Sequence, residues 1–392
     1  MRLHARFAIV VWILVAWTQL PAPGNASEPK GTASRAAVRE SFKFDPDDPL
    51  VLIPVRVGGK DYQFILDTGT TGSIFDVSLR SYLGPRVDST RATTPVGDDI
   101  ELALYSSPNA RVGSLPLTKG PVACRDLTQF REASGRSIYG VIGMDFLNDW
   151  IITIGFDEGR LDVLPPGTAR DPRWGESVPF TYDTTGRMLI SATVGEDTPV
   201  AFMLDTGNAG TGNLEEWFIT RLAASHEARV AGDDEAVTIS GIHSSRVARL
   251  SHFSLGSFRH ENLRFASGKR TVLGLNYLSR YRVAIDFPSQ RLYLAKGKCF
   301  AASDTNPGHT CGLHPLFRAG GLEVQSVDEK SPAHAAGLRA KDVIVKVCGK
   351  PVSESKPSEV VRRLTAEGKA VQVTVNRGGK LMEMSFTPKE YD

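Results

Sequence analysis

The chain is built from a duplicated pattern. VLIPVRVGGKDYQFILDTGTTGSIF (51–75) is followed by IYGVIGMDFLNDWIITIGFDEGRLDVL (138–164). Further on, MLISATVGEDTPVAFMLDTGNAGTGNL (188–214) is followed by TVLGLNYLSRYRVAIDFPSQRLYLA (271–295). Each half reads as a strand, a Gly turn, a strand running into Asp-Thr-Gly, a gap, an apolar pair with Gly, then strand, turn and strand. The spacing matches too: 76 residues separate Asp67 from Gly143, and 69 separate Asp205 from Gly274. A chain with this pattern folds as two copies of one mainly β lobe, expected over 45–164 and 178–298. The turn-rich PPGTARDPRWGES (165–177) links them.

The C-terminal region is of another kind. From Gly320 come a strand, a short helix over Pro332 to Gly337, a strand, a helix over 358–367 and a closing hairpin. This predicts a small α+β domain within 299–392, preceded by its linker. At the other end, MRLHAR, an apolar FAIVVWILVAW and a small-residue end through Ala26 read as a signal peptide (1–26), with an uncleaved membrane anchor as the alternative. A flexible leader is expected over 27–44.

Composition narrows the function. The formal charge of +2 becomes neutral once Arg2 and Arg6 leave with the signal, so nothing invites nucleic acid. Four cysteines in 392 residues are no disulfide scaffold, although an exported chain permits a Cys299–Cys311 pair across the linker. Cys124 and Cys348 are expected as buried thiols. No Cys/His spacing resembles a metal site, and no cofactor is expected.

A carboxylate at the end of a core strand is expensive to bury without a reason. One Asp-Thr-Gly is readily a turn, with Asp accepting backbone N–H groups. Two, at matching places in a repeated lobe, meet at the lobes' pseudo-two-fold axis. Asp67 and Asp205 then share one proton, since two adjacent carboxylates cannot both ionise cheaply. The ionised member activates a water while the protonated member polarises a substrate carbonyl. Gly69 and Gly207 let N–H groups approach the carboxylates, Thr68 and Thr206 turn their hydroxyls across the interface, and Gly143 and Gly274 let a core segment pass behind each loop.

On the two triplets and the later VIGMDFL and VLGLNYL segments, residues 45–298 resemble a retropepsin-like aspartyl protease of bacterial type with both lobes in one polypeptide. That resemblance implies an aspartic-type endopeptidase, a catalytic dyad of Asp67 and Asp205, interlocking Thr hydroxyls and a β-hairpin flap over the bound peptide. The first flap falls in DSTRATTPVGDDIELA, with Thr94, Pro95 and Val96 at its tip; the second candidate surrounds Gly241 and Ile242. The position after each triplet is commonly Ala or Ser, whereas here it is Thr70 and Asn208. On SPAHAAGLRAKDVIVKVCGKPV (331–352) the C-terminal region resembles a bacterial protease-associated PDZ domain, which implies peptide or protein recognition through strand addition. Gly312, Leu313, Gly321 and Leu322 are its peptide-binding candidates. Two other functions stay open: a weakly active or inactive peptide-binding or assembly protein, and a hydrolase of another bond, such as a glycoside, using paired carboxylates. Export implies a secreted or periplasmic location, with membrane contact only through a retained N-terminal segment.

Overall fold

The computed structural model describes residues 5–12, 39–93, 99–118, 120–238, 241–302, 304 and 311–389. Two β lobes are joined through one continuous sheet. At its centre Ile151–Gly155 runs antiparallel to Tyr281–Asp286, with Ile152 opposite Ile285. Outward from this seam the two sides mirror each other. Arg160–Leu164 and then Glu40–Lys43 extend one side; Arg291–Lys296 and then Glu176–Tyr182 extend the other. The pseudo-two-fold axis passes between the two central strands, and apolar side chains of both lobes share one core beneath it.

Residues 40–43 correct the expected flexible leader. They pair with Arg160–Val163, and Phe42 is buried in the core while its strand neighbours face outward. One buried aromatic in an alternating strand is enough to recruit the segment to the sheet edge. Further upstream, Ala5–Trp12 of the expected signal segment forms a strand parallel to Ala228–Thr238; the rest of that segment lies outside the described residues.

Within each lobe a hairpin carries the triplet. Ile53, Val55 and Val57 alternate inward along Leu52–Val57, and the chain returns as Lys60–Leu66 after a two-residue turn. Gly58 and Gly59 hold φ of 56° and 85° there, the left-handed pair that a tight hairpin demands. The second lobe repeats this with Met188–Val194 and Thr198–Asp205, its turn one residue longer. Helices are short. FDVSLRSYL gives a short 3-10 segment, Val77–Tyr82. Thr128–Ser134 and Glu216–Ala224 are helices that the strand-rich pattern hides, the latter burying Phe218, Ile219 and Leu222.

The C-terminal domain orders its strands as Leu313–Arg318, Gly321–Val327, Val343–Val347, Val371–Arg377 and Lys380–Phe386, with helices Pro332–Ala335 and Pro357–Leu364. It has its own apolar core, and it is docked on the first lobe. Leu316 joins the first-lobe cluster that contains Phe130 and Ala133. Arg318 donates to Glu132 at 3.0 Å, and Ser358 and Arg362 reach Asp45 and Asp47. Phe317 lies so close to Gly135 that a Cβ there would meet its ring at 2.5 Å.

The cysteines differ from expectation. Cys299 is exposed and Cys311 is buried in the C-terminal core, and they form no disulfide among the described residues. Cys348 is exposed rather than buried: it occupies a turn between Val347 and Lys350 with φ of 50°, where side chains project outward. Cys124 is half-buried.

Candidate active site

Each triplet is carried at the end of its strand, Lys60–Leu66 or Thr198–Asp205. The loops meet across the axis through a reciprocal set of hydrogen bonds. Thr68 N–H donates to Thr206 Oγ1 and Thr206 N–H to Thr68 Oγ1, both at 3.1 Å. The hydroxyls go on to donate to the opposite strands, Thr68 to Leu204 O and Thr206 to Leu66 O, both at 2.7 Å. All four bonds are buried. Each is worth about 1 kcal/mol net, but breaking one strands a buried donor at about 1–3 kcal/mol, so the interlock fixes position more than it adds stability.

Asp67 is fully buried and Asp205 is 1% exposed. Gly69 N–H donates to Asp67 Oδ1 at 2.7 Å, and Gly207 N–H to Asp205 Oδ1 at 2.9 Å. The glycines have a second reason to be there. A Cβ on Gly69 would lie 2.7 Å from Asp205 Cγ, and one on Gly207 would lie 2.5 Å from Asp67 Cγ. Each glycine therefore makes room for the other lobe's carboxyl group, a role that only the assembled pair reveals. Behind the loops, Met144 N–H donates to Thr70 O at 2.8 Å and Leu275 N–H to Asn208 O at 2.7 Å. Gly143 and Gly274 allow this approach: a Cβ would meet Thr70 O at 2.8 Å or Gly210 O at 2.3 Å.

The symmetry breaks one residue after the triplet. Thr70 Oγ1 donates to Asp67 Oδ2 at 2.6 Å. Asn208 turns away instead, donating to Asn213 Oδ1 at 2.8 Å and accepting from Gly210 N–H at 2.9 Å. Asp205 Oδ2 is left without a donor among the described residues. The two carboxyl groups lie close enough to act on each other's ionisation, and a proton shared by the pair would satisfy that oxygen. Burial raises both carboxyls above the ordinary range. Asp67 is pulled back down by the Thr70 hydroxyl and the Gly69 N–H. Asp205 is raised further by the neighbouring Asp67 charge. The surroundings thus favour ionisation at Asp67 over Asp205, within a pair that titrates as a unit.

Supporting polar groups also differ between the lobes. In the first, Ser73 Oγ donates to the half-buried Asp145 at 2.7 Å, and desolvation of its carboxyl lifts Asp145 to about 6. In the second, Asn276 stands at the matching position and donates to Thr211 Oγ1 and to Asp304 Oδ1. Asp304 also accepts from Thr211 Oγ1 at 2.7 Å and Arg264 N–H at 2.8 Å. Its place in a linker gives no sequence signal for this role.

Of the remaining candidates, Thr94, Pro95 and Val96 lie outside the described residues, between the paired strands Arg86–Thr93 and Asp99–Tyr105. Gly241 and Ile242 begin the return strand of a second hairpin, opposite Thr238 and Val237. In the C-terminal domain, Gly312, with φ of 72°, directly precedes the edge strand Leu313–Arg318, and the Leu313 side chain is buried in that domain's core. Gly321 and Leu322 are not at an open edge. Leu322 is paired on both sides, with Phe317 and Ile344, so it offers no free edge for an added peptide.

Comparison with known proteins agrees with this layout. Residues 53–146 match the aspartyl protease family and residues 300–387 the PDZ domain family. Serine protease HTRA1 of Xenopus tropicalis is 25% identical over 246 residues, 60% of this chain and 48% of that protein. Magnetosome formation protease MamE of Magnetospirillum gryphiswaldense is 37% identical over 76 residues, 19% of this chain and 10% of its own length. The chain thus spans about half the length of the HTRA1 relatives it matches. The protein carries an aspartyl protease domain followed by a C-terminal PDZ domain.

Proposed function

We propose that the protein is an aspartic-type endopeptidase in which Asp67 and Asp205 activate water. The supporting observation is the reciprocal Thr68–Thr206 interlock, which sets two buried carboxyl groups against each other with one oxygen, Asp205 Oδ2, lacking a donor among the described residues. With one proton on the pair, ionised Asp67 takes a proton from a water held between the carboxyls. Protonated Asp205 donates to the carbonyl oxygen of the scissile amide, and the water oxygen adds to the carbonyl carbon. The tetrahedral diol collapses as Asp67 passes the proton it took from water to the amide nitrogen and one diol hydroxyl returns its proton to Asp205, breaking the C–N bond and releasing an acid and an amine. The base and the acid are both supplied by the pair, so no covalent intermediate is needed.

In this reading the PDZ domain engages peptide or protein segments by adding a strand beside Leu313–Arg318. The test is cleavage of a mixed peptide library by the wild type, Asp67→Asn and Asp205→Asn. Loss of cleavage in both variants, with folding retained by circular dichroism, supports the dyad. Undiminished cleavage in either one removes it.

A further inference from the structure

The face of the second lobe that carries Asp205 also carries two arginines that water activation does not use. Leu189 lies opposite Met203 in the antiparallel pair, and continuing that register by two residues brings Arg187 opposite Asp205. On the other flank Met203 pairs in parallel with Val272, so Arg270, two before Val272, lies level with Ala201, and it is the charge on its long side chain that reaches Arg187. Alternate residues of neighbouring strands share a face, so Arg187, Arg270 and Asp205 stand on one side of these three strands. Leu189, Met203 and Val272 pack together on that same side, as the register requires.

Arg187 is only 4% exposed, yet its Nε has no hydrogen-bond partner among the described residues. The Asp183 carboxylate stands 3.8 Å away, and its Oδ1 is already engaged by Thr185 and by the Arg187 backbone N–H. A buried guanidinium with an unused donor is costly unless an anion completes it. Burial, and after it the charge of Arg270, pull Arg187 down to about 10, against the opposing pull of the Asp183 and Asp205 carboxyls. The first lobe differs at the equivalent place: the same register brings Leu50, fully buried and apolar, opposite Asp67.

We propose that Arg187 and Arg270 form a cationic subsite on the Asp205 side of the cleft that receives an acidic side chain, Asp or Glu, adjacent to the scissile bond. This rests on the proposed peptidase reading and names its substrate class. A carboxylate bound there completes the Arg187 guanidinium, while the amide side chain of Gln offers it no charge.

The experiment uses peptide pairs differing only in Glu or Gln beside the cut site, and matching non-cleavable statine peptides whose affinity is measured by calorimetry. Wild type, Arg187→Met, Arg187→Lys and Arg270→Met are compared. Wild type is expected to favour Glu over Gln about tenfold or more in both readouts, less so at high salt. Arg187→Met and Arg270→Met each reduce that ratio several-fold, and Arg187→Lys recovers part of it. A structural role for Arg187 would instead lower both members of a pair equally, leaving the ratio intact and overturning the proposal. If Arg187→Met does not fold, the half-buried Arg270 decides. Cleavage by wild type without a Glu preference sinks the subsite and leaves the peptidase; tighter binding of the Glu statine without any cleavage does the reverse.

Discussion

The two lobes share a backbone but divide the chemistry. In the first, the Thr70 hydroxyl donates to Asp67, and in the second the Asn208 side chain turns to Asn213 and gives Asp205 no such bond. The first props its loop with a desolvated carboxyl, Asp145, where the second has the neutral Asn276 held by a carboxylate from the linker. Leu50 faces Asp67, and Arg187 faces Asp205. Duplication places two equivalent carboxyls together, but under the proposed mechanism equivalence is of no use to a pair that works half ionised. The Thr70 hydroxyl, present in the first lobe alone, favours ionisation of Asp67, and Arg187 gives the Asp205 side a cation that the first lobe lacks.

The comparison is broken most directly at the aspartates. Asp67→Asn and Asp205→Asn are each expected to reduce kcat/KM for peptide cleavage by about a thousandfold or more, since each removes half of a concerted acid–base pair. An effect confined to one lobe would mean that the pair does not act as a unit. Next in size is Asp304→Ala. It strands Thr211, Asn276 and the Arg264 N–H in a buried site, for a loss of about 2–4 kcal/mol. A melting temperature lowered by roughly 5–10 °C is expected. The first lobe offers no counterpart among the described residues, since its Asp145 is held from within the lobe by Ser73. An unchanged melting temperature would show that the linker does not brace the second loop.

Asp145→Asn makes the first lobe resemble the second. The Asp145 carboxyl is raised to about 6 in the folded protein by burial. Its contribution is fully present below the unfolded value near ~4 and is lost as pH rises through the folded value. The Asn variant should therefore show a flatter melting temperature between about pH 4 and 7 and gain on the wild type at neutral pH. An identical pH slope in the two proteins would assign the titration elsewhere.

How much of this is legible in the sequence depends on the range over which each feature is determined. The triplets, the supporting glycines and the two-lobe plan depend on local strand pattern repeated at matching spacing, so they can be read directly. Glu40–Lys43 escapes because a single buried Phe42 in a polar stretch is too weak a signal before the sheet edge is known. The helix Glu216–Ala224 escapes because its buried apolar residues Phe218, Ile219 and Leu222 span little more than a turn. Arg187 and Asp304 belong to the site only through strand register and chain reversal, which no local window contains. Gly321 and Leu322 are misplaced by sequence because an internal strand and an edge strand of one hairpin look alike until pairing is known.

The finest division between the lobes is one hydrogen bond, and it can be moved. Asn208→Thr supplies Asp205 with the hydroxyl that Thr70 gives Asp67. Donation to a carboxylate favours its ionised form, so the proton on the pair is released at lower pH. The working state carries a single proton, so the alkaline limb of kcat/KM should move acidward by about one unit, the equivalent of one charge-assisted hydrogen bond. Thr70→Val is the complementary change. It takes a donor from Asp67, raises the pH at which the pair first ionises, and should move the acid limb upward instead. Variants that shift opposite limbs establish that the lobes hold distinct protonation roles. If both move the same limb, the asymmetry at residues 70 and 208 governs packing and the proton is shared evenly.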